Sequence, residues 1–177
     1  MTCIAGLVHE GKVYIGGDSA GVAGLDLIVR KAPKVFALGE FVIGFTTSFR
    51  MGQILQYAFT PPQRHPSKDV MAFMVTEFIA GIRQAFKDQG FATKNMEGEI
   101  GGEFLVGYQG RLFRIFSDYQ VAENECGYDA CGCGESYAQG VFFATPEMQP
   151  GDRVLLALSA AGSHSAGVRA PFHTLSM

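Results

Sequence analysis

The sequence predicts an α+β domain built as a four-layer αββα sandwich, with two stacked antiparallel sheets flanked on each outer face by helices. Three observations carry this. Period-two alternation of apolar residues dominates the N-terminal third. Two pairs of segments with helical apolar spacing follow, separated by a further alternating hairpin. The order is therefore strands, two helices, strands, two helices, strand, and amphipathic helices on antiparallel sheets pack most simply in four layers. At 177 residues and 47% hydrophobic content the chain forms one domain over 1–177 with a sizeable core.

Cys3, Ala5 and Leu7 fall on one face of the first strand, and Thr2, Ile4, Gly6 and Val8 on the other. HEGK, with Gly11, is the turn into VYIGGDS, the returning strand. KVFALGEFVIGFTT is a second hairpin turning at Gly39 and Glu40. In SFRMGQILQYAF, the residues Phe49, Met51, Ile54, Leu55 and Phe59 mark a helix that ends at TPPQRHP. Ser67 is read as the N-cap of a longer helix with the stripe Val70, Met71, Met74, Phe78, Ile82 and Phe86, stopping near Gly90. After a polar loop, GEFLVGYQGRLFRIFSDYQVAE is a hairpin turning at YQGR. GESYAQGVFFA and PGDRVLLALSAAG are helices, and HSAGVRAPFHTL is the last strand.

Charged residues make up 18% of the chain and mean hydropathy is +0.14, so part of the surface is expected to be buried against other subunits. A net charge of −3 without a Lys/Arg cluster argues against nucleic acid or an anionic membrane as partner. The longest apolar runs are too short to span a bilayer, and no secretory pattern opens the chain, so a cytoplasmic location is expected. Cys3, Cys126, Cys131 and Cys133 lack the spacing of a paired zinc site and are read as reduced thiols.

Thr2 is the candidate chemical centre. With Met1 removed, it would carry a hydroxyl nucleophile and a free α-amine that serves as its general base. An α-amine titrates near ~7.7–8.0, close to working pH. Such a site also needs a cation near the amine, a carboxylate holding that cation, and a backbone N–H for the oxyanion. Asp18 closes the first hairpin beside Thr2, Lys34 opens the strand VFAL, and Gly44 in FVIGFTT offers an N–H unobstructed by a side chain. Lys31 is read as a surface residue. Cys3 is a rival nucleophile, but it lies on the opposite strand face and fits a buried core thiol better. Glu103, Glu123, Glu125 and Asp129 are read as loop charges, and His164 and His173 have no triad partner at a readable spacing. GESYAQG lacks the pattern of a phosphate-binding loop.

The successive segments TCIAGLVHEGKVYIGGDS, KAPKVFAL, VIGF and GCGESYAQG resemble, in order and separation, the signatures of the proteasome β-type family of N-terminal nucleophile (Ntn) hydrolases. Within that family the length and the ending SAAGSHSAGVRAPFHTL are most similar to the HslV branch, and the resemblance covers nearly the whole chain. It implies a threonine peptidase with Thr2 as nucleophile and base, Asp18 and Lys34 as an ion pair, and Gly44 as oxyanion donor. The family's Gly-Ser-Gly motif appears as GCG, so Cys133 stands where a serine is expected, and a thiol is the weaker donor. Ser163 occupies an acidic position of the family.

The resemblance further implies a monovalent cation, sodium or potassium, held by the carbonyls of Gly162, Ser165 and Val168, with no cofactor required for the chemistry. Val42, Thr46 and Arg50 would lie near the first specificity pocket. The implied assembly is a homo-oligomeric double ring, six- or seven-fold, fed with unfolded protein by an AAA+ unfoldase of the HslU/ClpY type. Two other readings stay open: a ring-forming subunit with little or no catalysis, suggested by Cys133 and Ser163, and an amidase for small substrates.

Overall fold

The computed structural model describes residues 1–95 and 98–177. The alternation in the first segments produces β1 (Ile4–His9) and β2 (Lys12–Gly17), joined through Glu10 and Gly11 in the left-handed region. They pair antiparallel with Ile4 opposite Gly17 and His9 opposite Lys12. β5 (Val35–Leu38) and β6 (Phe41–Phe45) form the second expected hairpin, and β9 (Phe104–Tyr108) and β10 (Arg111–Ile115) the third.

Among the described residues two larger sheets result. One has the order β12-β1-β2-β13, with β12 at Tyr128–Cys131 and β13 at His173–Ser176. The other has the order β11-β10-β9-β6-β5, with β11 at Val121–Ala122. Ile4, Val13, Ile15, Val35, Val42, Leu105, Leu112 and Cys131 fill the space between the sheets. The opposite face of β1, with Cys3, Ala5 and Leu7, packs under α4 (Glu135–Ala144) and α5 (Pro150–His164) through Ala138, Phe142, Val154 and Leu158. The outer face of the five-stranded sheet carries an aromatic core against α1 (Phe49–Tyr57), α2 (Val70–Phe73) and α3 (Ile79–Asp88). The four expected layers are therefore present, and a single-residue slip of β1 would exchange its two buried faces.

Several elements depart from the sequence reading. The cap of the long helix is Asp69, whose carboxylate accepts from the Ala72 N–H at 2.9 Å; Ser67 is engaged instead with His65 Nδ1 at 2.7 Å. A π-helical turn at Met74–Phe78 joins α2 to α3 and re-phases the helix, so that Phe73, Met74, Phe78 and Ile79 all face the core. A short hairpin, β3 (Ala20–Ala23) with β4 (Asp26–Val29), was not expected. The polar loop after α3 contains β7 (Thr93–Asn95) paired with β8 (Gly98–Ile100), while positions 96 and 97 lie outside the described residues. The last strand begins only at His173, because the backbone before it is taken up in a loop with a cis Ala170–Pro171 bond.

β12 was concealed by the polar run ENECGYDACGCG. Asp129, read as a loop charge, is a buried residue of this strand, and burial pushes its carboxyl up against the opposing pull of Arg114. Arg114 reaches from β10 to Glu103 (3.0 Å), Glu135 (2.9 Å), Asp129 (3.6 Å) and the Ala130 carbonyl (2.9 Å). It thus ties one sheet to β12 and to the first turn of α4, the two elements between which Cys133 sits. Glu103 belongs to this cluster, and Glu123 pairs with Arg111. Among the described residues no helix is long and apolar enough to cross a membrane.

Candidate active site

Thr2, Asp18, Lys34, the 46–48 turn and Cys133 all lie at strand ends on one edge of the sandwich. Thr2 precedes β1, Asp18 follows β2, Lys34 precedes β5, Thr46 follows β6, and Cys133 follows β12. The β1–β2 register puts Asp18 beside Cys3, with the Asp18 N–H donating to the Cys3 carbonyl at 3.3 Å. On the other side, the Gly134 N–H donates to the Thr2 carbonyl at 3.3 Å. Gly132 is required there: its φ is +97°, and a Cβ would stand 2.3 Å from the Thr2 carbonyl oxygen.

Lys34 is the pivot. Its Nζ donates to Thr2 Oγ1 at 2.8 Å and to Asp18 Oδ1 at 2.8 Å, and it lies 5.6 Å from the centre of the Phe49 ring. Lys34 is 1% exposed and Asp18 is fully buried. A lysine so placed is not a solvated surface charge, in contrast to exposed Lys31. Burial pushes the Lys34 ammonium below its ordinary pKa, while the Asp18 carboxylate acts in the opposite direction. Asp18 is in turn saturated with donors. Oδ1 accepts from the Cys3 N–H (3.1 Å) as well as Lys34, and Oδ2 from the Ala20 (2.9 Å) and Arg169 (3.2 Å) N–H groups.

Cys133 also reaches Thr2. The Thr2 N–H donates to Cys133 Sγ at 3.3 Å, the thiol is 3.4 Å from the Thr2 carbonyl, and Ser165 Oγ donates to the same sulfur at 3.2 Å. Thr2 is only 4% exposed, and its hydroxyl donates to the Met1 carbonyl. Met1 lies over Gly167 beside Cys133 and lines, with Thr2, Lys34, Thr46, Thr47 and Phe49, a cavity of about 70 Å³. That is well below the ~300–1,000 Å³ of ordinary ligand pockets, and Met1 forms part of its wall. Cys3 faces α4 and α5, and burial pushes its thiol up to about 12, the opposite of what a nucleophile needs.

Gly44 is not at this cavity. The Phe45 N–H donates to the Lys34 carbonyl at 3.0 Å and the Thr46 N–H to the Glu103 carbonyl at 3.0 Å. Antiparallel alternation then turns the Gly44 N–H toward its ladder partner Leu105. Its missing side chain serves the packing of the two sheets, since a Cβ would stand 2.5 Å from Ile4 Cγ2. Of the residues that line the cavity, Thr47, with φ +67°, and Phe49, the first residue of α1, have backbone N–H groups without a hydrogen-bond partner among the described residues. The signal in the sequence was positional: Thr47 lies between the end of β6 and Ser48, whose hydroxyl caps α1.

The expected specificity residues also separate. Thr46 lines the cavity, Val42 is buried between the sheets, and the Arg50 guanidinium is turned to Gln89 at the end of α3. Ser163 bonds back to the Ser159 carbonyl within α5. The Gly162, Ser165 and Val168 carbonyls do converge on one point, but it is filled by Nη1 of Arg169. The residues present do not fit a metal ion there.

No protein-family model matches the sequence, and no curated protein matches it either. The fold, by contrast, is shared with solved structures along the whole chain. Thiobacillus denitrificans BPH in complex with epoxomicin is 19% identical with a TM-score of 0.83, covering 99% of this chain and 98% of that one. HslV from Trypanosoma brucei is 16% identical with a TM-score of 0.69, covering 99% and 98%. The Gly-1 mutant of Anbu from a Hyphomicrobium strain is 18% identical with a TM-score of 0.70, covering 98% and 80%. The four-layer αββα sandwich of this chain is the fold of these structures.

Proposed function

We propose that this chain is a proteasome β-type threonine peptidase subunit, active once Met1 is removed. The observation that carries this reading is the buried Lys34 Nζ, 2.8 Å from both Thr2 Oγ1 and Asp18 Oδ1. Taking a lysine out of water is costly even with a carboxylate behind it, and a buried charge held on a threonine hydroxyl is therefore a candidate for a role at that hydroxyl.

In the proposed mechanism the freed Thr2 amine accepts the Oγ1 proton as Oγ1 attacks a peptide carbonyl. Lys34 holds Oγ1 in place, and its charge disfavours protonation of the nearby amine. The unpartnered Thr47 N–H, rather than the ladder-bound N–H of Gly44, is assigned to the oxyanion. The ammonium of Thr2 then protonates the leaving amine as the C–N bond breaks, leaving an ester on Oγ1. The amine next takes a proton from water, hydroxide adds to the ester carbonyl, and the acid product departs as Oγ1 regains its proton. Cys133 Sγ, beside the Thr2 nitrogen, occupies the place from which a hydroxyl or thiol orients the amine.

The same reading includes a homo-oligomeric double ring in the cytoplasm, supplied with unfolded protein by an AAA+ unfoldase of the HslU/ClpY type. Exposed Leu25, Leu27, Ile28 and Val29 at the β3–β4 hairpin, and Phe143, Leu155 and Leu156 on the outer helices, support burial against other subunits. The test is intact mass after exposure to a peptide epoxyketone. Protein lacking Met1 should gain one inhibitor mass located at Thr2, and an unmodified Thr2 would refute the peptidase reading.

A second reading, a ring subunit with little catalysis, is favoured by the thiol at position 133 and by Met1, whose carbonyl engages the nucleophile. Retention of Met1 in the purified assembly would support it, because an acylated nitrogen is no base.

A further inference from the structure

We propose that Arg169 is a tethered cation which takes the place of a monovalent metal ion, and that through it the end of α5 positions Asp18 and hence the Lys34–Thr2 pair. Nη1 of Arg169 stands 2.7 Å from the Val168 carbonyl and 3.3 Å from those of Gly162 and Ser165. Gly162 lies in the last turn of α5 and Ser165 is its C-cap, so two of these oxygens are carbonyls that a helix end leaves without intrahelical partners. Three carbonyls around one point, at the negative end of a helix, make a site for a unit positive charge. A guanidinium supplies that charge and adds N–H donors directed at oxygen. With Nη1 at the centre, the cradle has no place left for a sodium or potassium ion.

The tether has a consequence that a free ion lacks. The backbone of the same residue is held on both sides: its N–H donates to Asp18 Oδ2 at 3.2 Å, and its carbonyl accepts from the Ser19 N–H at 2.9 Å. The other oxygen of Asp18 accepts from Lys34, which donates to Thr2 Oγ1. Ser165, inside the cradle, also places its hydroxyl on Cys133 Sγ beside the Thr2 nitrogen. One side chain therefore fixes both the carboxylate behind Lys34 and the hydroxyl next to the thiol. Arg169 is a positioning residue, since it touches neither Thr2 nor the cavity.

The experiment compares thermal unfolding of the full chain and of Arg169→Ala in potassium, sodium and N-methylglucamine chloride at equal ionic strength. The wild type should unfold at the same temperature in all three. R169A should lose about 3 °C or more in Tm and recover it, saturably, in potassium, sodium or methylguanidinium chloride but not in N-methylglucamine. A saturable alkali-ion shift in the wild type would overturn the proposal, because an ion would then bind despite the arginine. So would an R169A that loses no stability or responds to no small cation. If R169A fails to fold, Arg169→Gln keeps most of the stem without the charge and is read in the same way.

The positioning half rests on the peptidase reading. With that activity present, R169A should lose kcat with little change in KM, and the cation that restores Tm should restore kcat over the same concentration range. Loss of Tm with unchanged kcat would overturn the positioning half alone. A Tm response in protein that hydrolyses no peptide in any form would count against the peptidase reading and leave the tethered cation standing.

Discussion

Lys34 Nζ and Asp18 Oδ1 stand 2.8 Å apart with both side chains withdrawn from solvent. Removing one partner strands the other as an unpaired buried charge. Asp18→Ala or Lys34→Ala should therefore destabilise the fold by about 3–5 kcal/mol. Replacing the pair together, with Asp18→Asn and Lys34→Met, should recover most of that stability while leaving no measurable peptidase activity. Urea unfolding read beside peptide hydrolysis checks both halves. Activity in the double variant would show that the pair only supports the fold.

Gly44 is expected to matter to packing and not to the chemistry. Gly44→Ala drives a Cβ against Ile4 and Ile15 between the sheets, and overpacking of that kind costs about 1–3 kcal/mol. Because its N–H is committed to the ladder, the folded fraction of Gly44→Ala should keep its kcat once active sites are counted by titration. A loss of kcat per folded site of ~10²-fold or more, the scale of a lost oxyanion donor, would return that role to Gly44.

The pattern of apolar residues made most of this architecture legible. Alternation in CIAGLV placed Thr2 and Asp18 at one end of a hairpin, and the apolar strand VFAL placed Lys34 at its mouth. What stayed hidden depended on pairing across the sheet. Gly44 looks free in a linear reading, since only the register against Val35 and Leu105 shows where its amide points. β12 looks like a polar loop because Asp129 is balanced by Arg114 from the other sheet. Arg169 resembles any surface arginine until α5 ends and brings three carbonyls around it.

Among the four thiols, two are buried and two exposed. Cys126 and Cys133 should react with iodoacetamide in the native protein, while Cys3 and Cys131 should react only on unfolding, since burial raises the pKa of both. Alkylation of Cys133 should abolish hydrolysis by crowding the Thr2 nitrogen, 3.3 Å away. Cys133→Ser should escape that inhibition and retain activity. Peptide mapping with residual-activity assays checks this, and full activity after Cys133 is modified would separate the thiol from the chemistry.

Alkaline stability carries a contribution from the Cys3 thiol, to which Cys131, raised by burial in the same direction, adds equally in the wild type and in a Cys3 variant. The Cys3 pKa rises from 9.0 unfolded to about 12 in the fold because burial disfavours the thiolate. Between those values the unfolded chain has lost the proton and the folded chain keeps it. The contribution is thus fully present below pH 9.0 and is lost as pH rises toward 12. The slope is about 1.4 kcal/mol per pH unit, on the order of 4 kcal/mol in all. Lys34 acts with the opposite sign: burial lowers its pKa from 10.5, so the folded state sheds its proton first and stability rises between that lowered value and 10.5. The two effects overlap in wild-type protein, but their difference is separable by substitution. Cys3→Ala leaves the Lys34 contribution in place, so its stability should fall less steeply than that of the wild type above pH 9, by about 1.4 kcal/mol per unit. Urea midpoints measured across that range decide the matter, and parallel curves for the two proteins would mean that Cys3 ionises in the fold as readily as in the unfolded chain.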